Sequence, residues 1–381
     1  MKKLPIKIDS LVKTECWTQY LLSIVQTSEL SDAWVASHFQ LCGIDDGGAW
    51  YGTSSKILSY KDALDIINYE DVCIWTITPE RIIPWIIEEI NRDNYILVEL
   101  MFKNGSSHRI HEMLFYGYDI NEGCFFTPII NNNTQEIEET KIPFDQVLLM
   151  YKNLYLHFTN DANKDELISS LRCNYLISRI SLRKDYKADG SLYDFWRLLD
   201  SYSNGEIYDA SQLNSNLEII KKRKIYCGIS TMLSVIEEMD KIISERKFIE
   251  HDTDIIYNDL FGRVSDKLSR DMYKIYEHKK ILLNSIIWFY SNMNTVSQES
   301  KELVEKFRKC CNSMKSYYKI AMKFQKKRDW DILIDLLPKF KLQYSTEYEL
   351  LNQISNDVKE CLYTQKSFSN YVNSTNILPE C

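Results

Sequence analysis

Apolar residues recur at helical spacing near the start of the chain. From Cys16 to Gln26 they fall three or four positions apart, which predicts a helix. Thr14 is its predicted N-cap, and Glu15 lies in the first turn. Other segments with helical spacing are 31–41, which Gly43 would end, 60–68, and 80–92 with Pro84 in its early part.

Strand patterns follow the helical ones. Residues 95–102, with the sequence YILVELMF, have the length and composition of a buried strand. Residues 111–118 and 124–130 predict a β-hairpin around a turn at 119–123. The glycine-rich segment 47–52 predicts a loop. Helices first and antiparallel strands later predict an α+β domain.

The pattern changes after Asn160, where long amphipathic stretches with Lys/Glu pairs replace the strand-like runs. They predict an α-helical second domain. The stretches are 212–222, 228–247, 264–292, 299–325 and 346–363. We therefore expect a mixed domain over 1–158 and a helical domain over 159–381.

Composition narrows the class of protein. The 381 residues are 45% hydrophobic and include only 11 Gly and 7 Pro, which indicates a folded globular chain. No apolar signal segment and no apolar stretch of about 18 residues occurs, so we expect a soluble cytoplasmic protein without membrane association. The ten cysteines lack paired spacing, which predicts reduced thiols.

Charge is divided unevenly along the chain. Residues 1–155 contain 12 Lys+Arg against 22 Asp+Glu, a net charge of −10, whereas the remainder contains 34 against 32. Nucleic acid is not an expected partner of the acidic half, because phosphate binding needs clustered cations.

Cys16 and His111 carry the candidate chemistry. A cysteine in the first turn of a helix lies at the positive end of the helix dipole, which favours thiolate, and the N–H groups there can stabilise an oxyanion. From Cys16 alone, the simpler interpretation is an ordinary buried cysteine. His111 changes this interpretation because it begins a predicted strand that would hold its ring rigidly. His108 competes for the same role but follows a predicted turn.

A third residue must orient the imidazole. If Tyr118 pairs with Cys124 across the hairpin, Thr127 and Asn131 share the face of His111, whereas a slip of one residue removes them both. Asp119 lies eight residues along the same strand, roughly 26 Å away at about 3.3 Å per residue, and reads as a turn residue. Thr127 and Asn131 remain the candidates.

Other patterns compete with this one. His38 and Cys42, four residues apart on a predicted helix, and the pair His108 and His111 could bind zinc, but the usual paired ligand spacing is missing. Three aromatic residues could line a channel, although core packing is their more common role; they are Trp34, Phe39 and Trp50. His278, in the middle of a helix, is left out of the site.

Three blocks resemble a known family. Cys16 with its following helix, the run SDAW at 31–34 and the run HEMLFYGYD at 111–119 resemble the papain-like, C39-peptidase-like proteins of the butirosin-H N-terminal type. The run YEHKK at 276–280 resembles a helix in the second half of such proteins. The resemblance implies a papain-like domain with an antiparallel sheet, followed by an α-helical domain.

The resemblance also implies a function. Members are implied to move an acyl group from a carrier-protein thioester to an amine in natural-product biosynthesis, with Cys16, His111 and Thr127 as catalytic residues. Expected partners are an acyl carrier protein and a small amine, with no cofactor and no metal. Two departures bear on this: Ser10 stands where relatives carry Gln or Asn, and Thr127 where they carry Asp or Asn. Alternatives are a C39-like peptidase or thioesterase, and a non-catalytic carrier-binding protein.

Overall fold

The structure is a computed structural model. It describes residues 1–44, 48–53, 56–57, 63–104, 107–130, 136–159, 177–209, 224–249, 254–327 and 329–364.

The described residues form helices and antiparallel sheets. The strands are β1 (Lys2–Lys3), β2 (Gln40–Ile44), β3 (Gly48–Thr53), β4 (Lys56–Ile57), β5 (Ile67–Val72), β6 (Tyr95–Asn104), β7 (Ser107–Phe115), β8 (Gly117–Asp119), β9 (Cys124–Ile130), β10 (Ile137–Pro143), β11 (Ile177–Leu182), β12 (Ile207–Asp209) and β13 (Lys224–Cys227). The helices are α1 (Cys16–Val25), α2 (Ser31–His38), α3 (Pro79–Asn91), α4 (Phe144–Thr159), α5 (Ser191–Asn204), α6 (Thr231–Ile249), α7 (Asp254–Ser291), α8 (Gln298–Lys327) and α9 (Trp330–Thr364).

The chain divides into two compact units, each built from two separate segments. Unit 1 comprises residues 1–31 and 59–187, and unit 2 comprises residues 32–58 and 188–381. The units therefore differ from the predicted division at residue 158. The cause is nonlocal strand pairing, because β2 pairs with β13 and β11 pairs with β5 and β6.

Unit 1 contains two four-stranded sheets, ordered β5-β11-β6-β7 and β1-β8-β9-β10. Helix α1 contacts β7 and β11, whereas α3 and α4 contact each other and β6. The central strand β6 is apolar over most of its length, and Ile96, Val98 and Leu100 are fully buried. This apolar run was predicted as a buried strand, and that prediction is confirmed.

Unit 2 combines a five-stranded sheet, ordered β12-β13-β2-β3-β4, with helices α2 and α5 to α9. Its long helices α7, α8 and α9 pack in sequence, with α7 against α8 and α8 against α9. Amphipathic spacing predicted these three helices and α6, and the structure contains all four. Most ends lie within three residues of the predicted ones, but α7 begins ten residues earlier and α9 sixteen residues earlier than predicted. The predicted segment 212–222 lies outside the described residues.

Several local predictions are wrong. The helix predicted over 31–41 ends at His38, and Gly43 lies in β2 rather than at a helix end. Segment 48–53, predicted mostly as a loop, is strand β3. Of the helix predicted over 60–68, residues 63–66 form a turn and residues 67–68 begin strand β5, while residues 60–62 lie outside the described part. Strands also continue beyond residue 160. Strands β2 and β5 pair with residues far along the chain, which local spacing does not report, whereas β3 pairs with its sequence neighbours β2 and β4.

No described helix combines the length and apolar character needed to cross a membrane.

Candidate functional site

Helix α1 is buried on all sides. Every side chain from Thr18 to Val25 is buried, including the polar Gln19 and Ser23. Cys16 is its first residue, and its thiol is half-buried. The N-cap is Glu15, not the predicted Thr14, and its side chain makes no cap hydrogen bond but accepts one from Thr18 Oγ1 at 2.7 Å. The sulfur therefore stands at the electropositive end of a rigidly packed helix.

Strand β7 supplies the groups that meet Cys16. In the ladder between β6 and β7, His111 pairs with Leu100 and Glu112 pairs with Glu99. His111 and Glu112 are both half-buried. Successive residues of a regular strand point to opposite faces, yet polar atoms of both side chains approach the same sulfur.

Three side chains converge at this point. The Cys16 Sγ atom lies 3.5 Å from His111 Nε2 and 3.1 Å from Glu112 Oε1. Either His111 Nε2 or Glu112 Oε1 can accept the thiol proton, and the thiol has only one proton to donate. The arrangement thus provides a thiol, a base within reach of it, and a carboxylate that competes with the base.

The orientation of the His111 ring is fixed by the backbone. Nδ1 lies 2.8 Å from the carbonyl oxygen of Glu112. Because a carbonyl oxygen only accepts hydrogen bonds, this contact requires the proton on Nδ1 and leaves the lone pair of Nε2 directed towards sulfur. The Tyr20 hydroxyl donates to the same carbonyl at 3.5 Å. Burial, followed by the charges of Cys16 and Glu112, raises the Tyr20 pKa well above its usual range.

A second carboxyl group lies next to the first. Glu99 faces Glu112 directly across the β6–β7 ladder. Burial, and then the charge of Glu112, raise the pKa of Glu99 to about 7. Within the part of the chain that the structure describes, neither carboxylate has a lysine or arginine as ion-pair partner. The raised pKa leaves Glu99 partly protonated near pH 7, and Glu112 is the acidic group that contacts the thiol.

The residue predicted to orient His111 lies elsewhere. The predicted hairpin register is wrong, because Tyr118 pairs with Phe125 rather than with Cys124, and β7 and β9 belong to different sheets. Thr127 pairs with Thr140 of β10 and is fully buried, and its hydroxyl has no hydrogen-bond partner among the described residues. Asn131 lies outside the described residues. In the part of the chain that the structure describes, Thr127 makes no hydrogen bond to the ring of His111.

The structure also describes Asp119 and Ser10, two further residues that the sequence analysis considered. Asp119 accepts backbone hydrogen bonds from Asn121 at 2.9 Å and Glu122 at 3.3 Å, as expected of a turn residue. Ser10 is buried, and its hydroxyl has no hydrogen-bond partner among the described residues. The side chains of His108 and Trp50 lie outside the described part.

His38 and Cys42, considered as a possible zinc-binding pair on one helix, lie on different elements. His38 ends α2, and its Nδ1 atom lies 3.0 Å from the carbonyl oxygen of Trp34. Cys42 is in β2, with its sulfur 3.5 Å from that of Cys227. Trp34 and Phe39 are buried core residues of unit 2.

Sequence reasoning missed Glu112 and Glu99. Strand alternation assigns Glu112 to the face opposite His111, so it was not counted as a neighbour of sulfur. Glu99 becomes a neighbour only through the β6–β7 register. One signal was available, since an acidic residue in the middle of the apolar run 95–102 is unusual for a buried strand.

Comparison with known proteins adds no relative. No family model matches the chain, and no significant match occurs among curated proteins.

Proposed function

We propose that the chain is a cysteine-dependent acyltransferase that forms amide bonds. It would take an acyl group from a carrier-protein pantetheinyl thioester onto Cys16 and pass it to an amine, in non-ribosomal peptide or thioamide biosynthesis. The observation that carries the proposal is the 3.5 Å distance between Cys16 Sγ and His111 Nε2, at the first residue of a buried helix. A papain-like fold of unit 1 is part of the proposal, supported by the central helix beside an antiparallel sheet.

In the first half-reaction the Cys16 thiolate attacks the thioester carbonyl carbon. The bond between that carbon and the pantetheine sulfur breaks, and the departing thiolate takes the proton held by His111. One thioester replaces another, so this exchange is close to balanced in free energy and needs no ATP. First-turn N–H groups of α1 are suited to stabilise the oxyanion formed on the way.

In the second half-reaction the amine nitrogen attacks the acyl group on Cys16. His111 takes a proton from that nitrogen, the carbon–sulfur bond breaks, and the Cys16 thiolate is restored. The Glu112 carbonyl supports this role, because it holds the proton on Nδ1 and leaves Nε2 free to accept. The Thr127 hydroxyl, which the sequence predicted for this role, has no hydrogen-bond partner among the described residues.

The test is an intact-mass measurement on chelator-treated protein incubated with a short acyl-pantetheine thioester and no amine. We expect one acyl mass increment on the wild type and on Cys73→Ala, and none on Cys16→Ala. Cys73 is the matched control, because it is another half-buried free cysteine of unit 1.

Adding amines to the acylated protein separates ligation from hydrolysis. Amide product that forms only with an amine supports the proposal, whereas free acid formed at the same rate without amine favours a C39-like peptidase or thioesterase. If neither free nor carrier-bound donors acylate the wild type, the proposal fails and a non-catalytic carrier-binding protein is the better description.

A further inference from the structure

The site around Cys16 contains three electron-pair donors. Cys16 Sγ, His111 Nε2 and Glu112 Oε1 all lie within 4.8 Å of one another. A thiolate, a neutral imidazole and a carboxylate together carry two negative charges. A hydrogen-bonded cysteine–histidine pair does not need the carboxylate, and a negative charge 3.1 Å from sulfur disfavours the thiolate that the chemistry requires. Glu112 thus calls for its own explanation.

His111 is held as metal-binding histidines are. Such residues commonly donate one ring N–H to a backbone carbonyl or carboxylate, which fixes the tautomer and turns the other nitrogen towards the metal. The 2.8 Å contact of Nδ1 with the Glu112 carbonyl does this for Nε2. The Tyr20 hydroxyl donates to the same carbonyl oxygen and gives that carbonyl a second hydrogen bond.

The donor distances suit a tetrahedral zinc ion. Zinc bonds of about 2.0–2.3 Å place neighbouring tetrahedral ligand atoms about 3.3–3.6 Å apart. The sulfur lies 3.5 Å from His111 Nε2 and 3.1 Å from Glu112 Oε1, so these two distances differ from tetrahedral ones by only a few tenths of an ångström, and the third pair of ligand atoms lies within 4.8 Å. A mixed set of thiolate, imidazole and carboxylate favours zinc over magnesium or calcium, which prefer oxygen ligands.

We propose that Cys16, His111 and Glu112 bind one zinc ion, with the fourth position open to water, and that the bound ion withholds Cys16 from acyl transfer. Binding of Zn²⁺ displaces the thiol proton to solvent, and the sulfur lone pair then bonds to the metal instead of attacking a carbonyl carbon. The zinc site stands independently of the acyl chemistry, whereas the inhibition rests on the proposed function.

Binding is measured on the full chain after chelator treatment and buffer exchange. Zn²⁺ content is determined after equilibrium dialysis, and Co²⁺ is added separately as a spectroscopic probe. We expect one Zn²⁺ per wild-type chain and, with Co²⁺, a thiolate-to-metal charge-transfer band. Cys73→Ser should match the wild type. Cys16→Ser should lose the charge-transfer band, and Glu112→Gln should weaken Zn²⁺ binding at least about tenfold.

Two outcomes overturn the zinc site: no charge-transfer band in the wild type, or equal Zn²⁺ affinity in Glu112→Gln and wild type. Circular dichroism of each variant excludes loss of the fold as the cause. The intact-mass assay is then repeated with and without one equivalent of Zn²⁺. Acylation blocked by zinc and restored by chelator supports the inhibition, whereas equal acylation of the zinc-loaded protein overturns it.

The two proposals fail in different ways. A metal-free protein that is never acylated but binds zinc through Cys16 contradicts the acyltransferase and leaves the zinc site intact. A protein that is acylated on Cys16 but gives no cobalt charge-transfer band does the reverse.

Discussion

His111 is oriented by the backbone carbonyl of its own neighbour, Glu112, at 2.8 Å from Nδ1. A side-chain orienter is therefore unnecessary, and we predict that Thr127→Val leaves the rate of Cys16 acylation within about twofold of the wild type. The buried hydroxyl of Thr127 has no partner among the described residues, so its removal should leave the free energy of unfolding unchanged or raise it by up to about 1 kcal/mol.

Acylation rates from intact mass and denaturant unfolding curves test this prediction. The control is His111→Ala, which should lower the acylation rate at least about a hundredfold. A tenfold or larger loss in a folded Thr127→Val protein would instead assign Thr127 a positioning role.

The Glu112 carboxylate should suppress the reactivity of Cys16. Glu112→Gln removes a negative charge from a position 3.1 Å from sulfur, which favours the thiolate. We predict that iodoacetamide alkylates Cys16 about three to ten times faster in Glu112→Gln than in the wild type at pH 7, measured by peptide mass with chelator present. Cys73 provides the internal control, and its alkylation rate should not change. A slower reaction at Cys16 would mean that Glu112 activates the thiol.

The sequence predicts those helices and strands that are determined by a local pattern of apolar residues and turn signals. Segment 80–92 is helix α3 at Pro79–Asn91, and the predicted strand 124–130 is β9 with the same bounds, because a strong periodic pattern between turn signals decides each. Segment 31–41 failed for the opposite reason. Its last residues belong to β2, where Cys42 pairs with Cys227, 185 positions away. Pairing over that distance leaves no local pattern.

The same distinction applies to the candidate site. Cys16 and His111 were singled out by residue type and by their predicted positions at the start of an element, and their side chains lie together across 95 residues of sequence. Cys16 does begin α1, whereas His111 lies in the middle of β7, which starts at Ser107. Glu112 was missed because regular strand alternation points it away from His111. The role of Thr127 depended on a hairpin register, and a slip of one residue moved it to another environment.

Unit 2 contains an ion pair in its core, between Lys279 of α7 and Glu347 of α9, with both side chains fully buried. Glu347 also accepts a hydrogen bond from Gln343 at 3.2 Å. Glu347→Gln leaves the Lys279 charge uncompensated, and we predict a loss of about 3–5 kcal/mol in the free energy of unfolding. Denaturant titration followed by far-ultraviolet circular dichroism measures it.

Two further variants serve as controls for this prediction. The double variant Lys279→Met with Glu347→Leu removes both charges and should recover most of the loss. Lys341→Ala breaks an exposed pair with Asp240 and should cost less than about 1 kcal/mol. A Glu347→Gln protein as stable as the wild type would contradict a stabilising role for this ion pair.

His278 should make unit 2 sensitive to acid. Its ring stacks between Phe39 and Tyr202, and burial, with the charge of Lys279 second, lowers its pKa to about 3. The unfolded chain takes up this proton near pH 6.5, whereas the folded protein does not. The stabilisation is therefore complete above pH 6.5 and declines as the pH falls towards 3, by up to about 1.4 kcal/mol per pH unit.

His278→Phe removes this titration and isolates it from the other groups. We predict that the difference in unfolding free energy between wild type and variant shifts by about 2–3 kcal/mol in favour of the variant between pH 7 and pH 4.5. Substitution of the exposed His157 by Gln is the control and should show no such shift. A difference that stays constant over this range would contradict a neutral buried His278.

The path of the chain constrains how this protein can be recombined. In unit 2, residues 32–58 supply β2, which lies inside the five-stranded sheet, although the segment 59–187 of unit 1 separates it in sequence from β13. In unit 1, β11 lies between β5 and β6, beyond residue 158. Cutting the gene after codon 158 would remove β11 and leave β5 and β6 with unpaired edges. Neither unit is a continuous stretch of sequence, so a single crossover cannot exchange one unit as a whole, and the two units are expected to be inherited together.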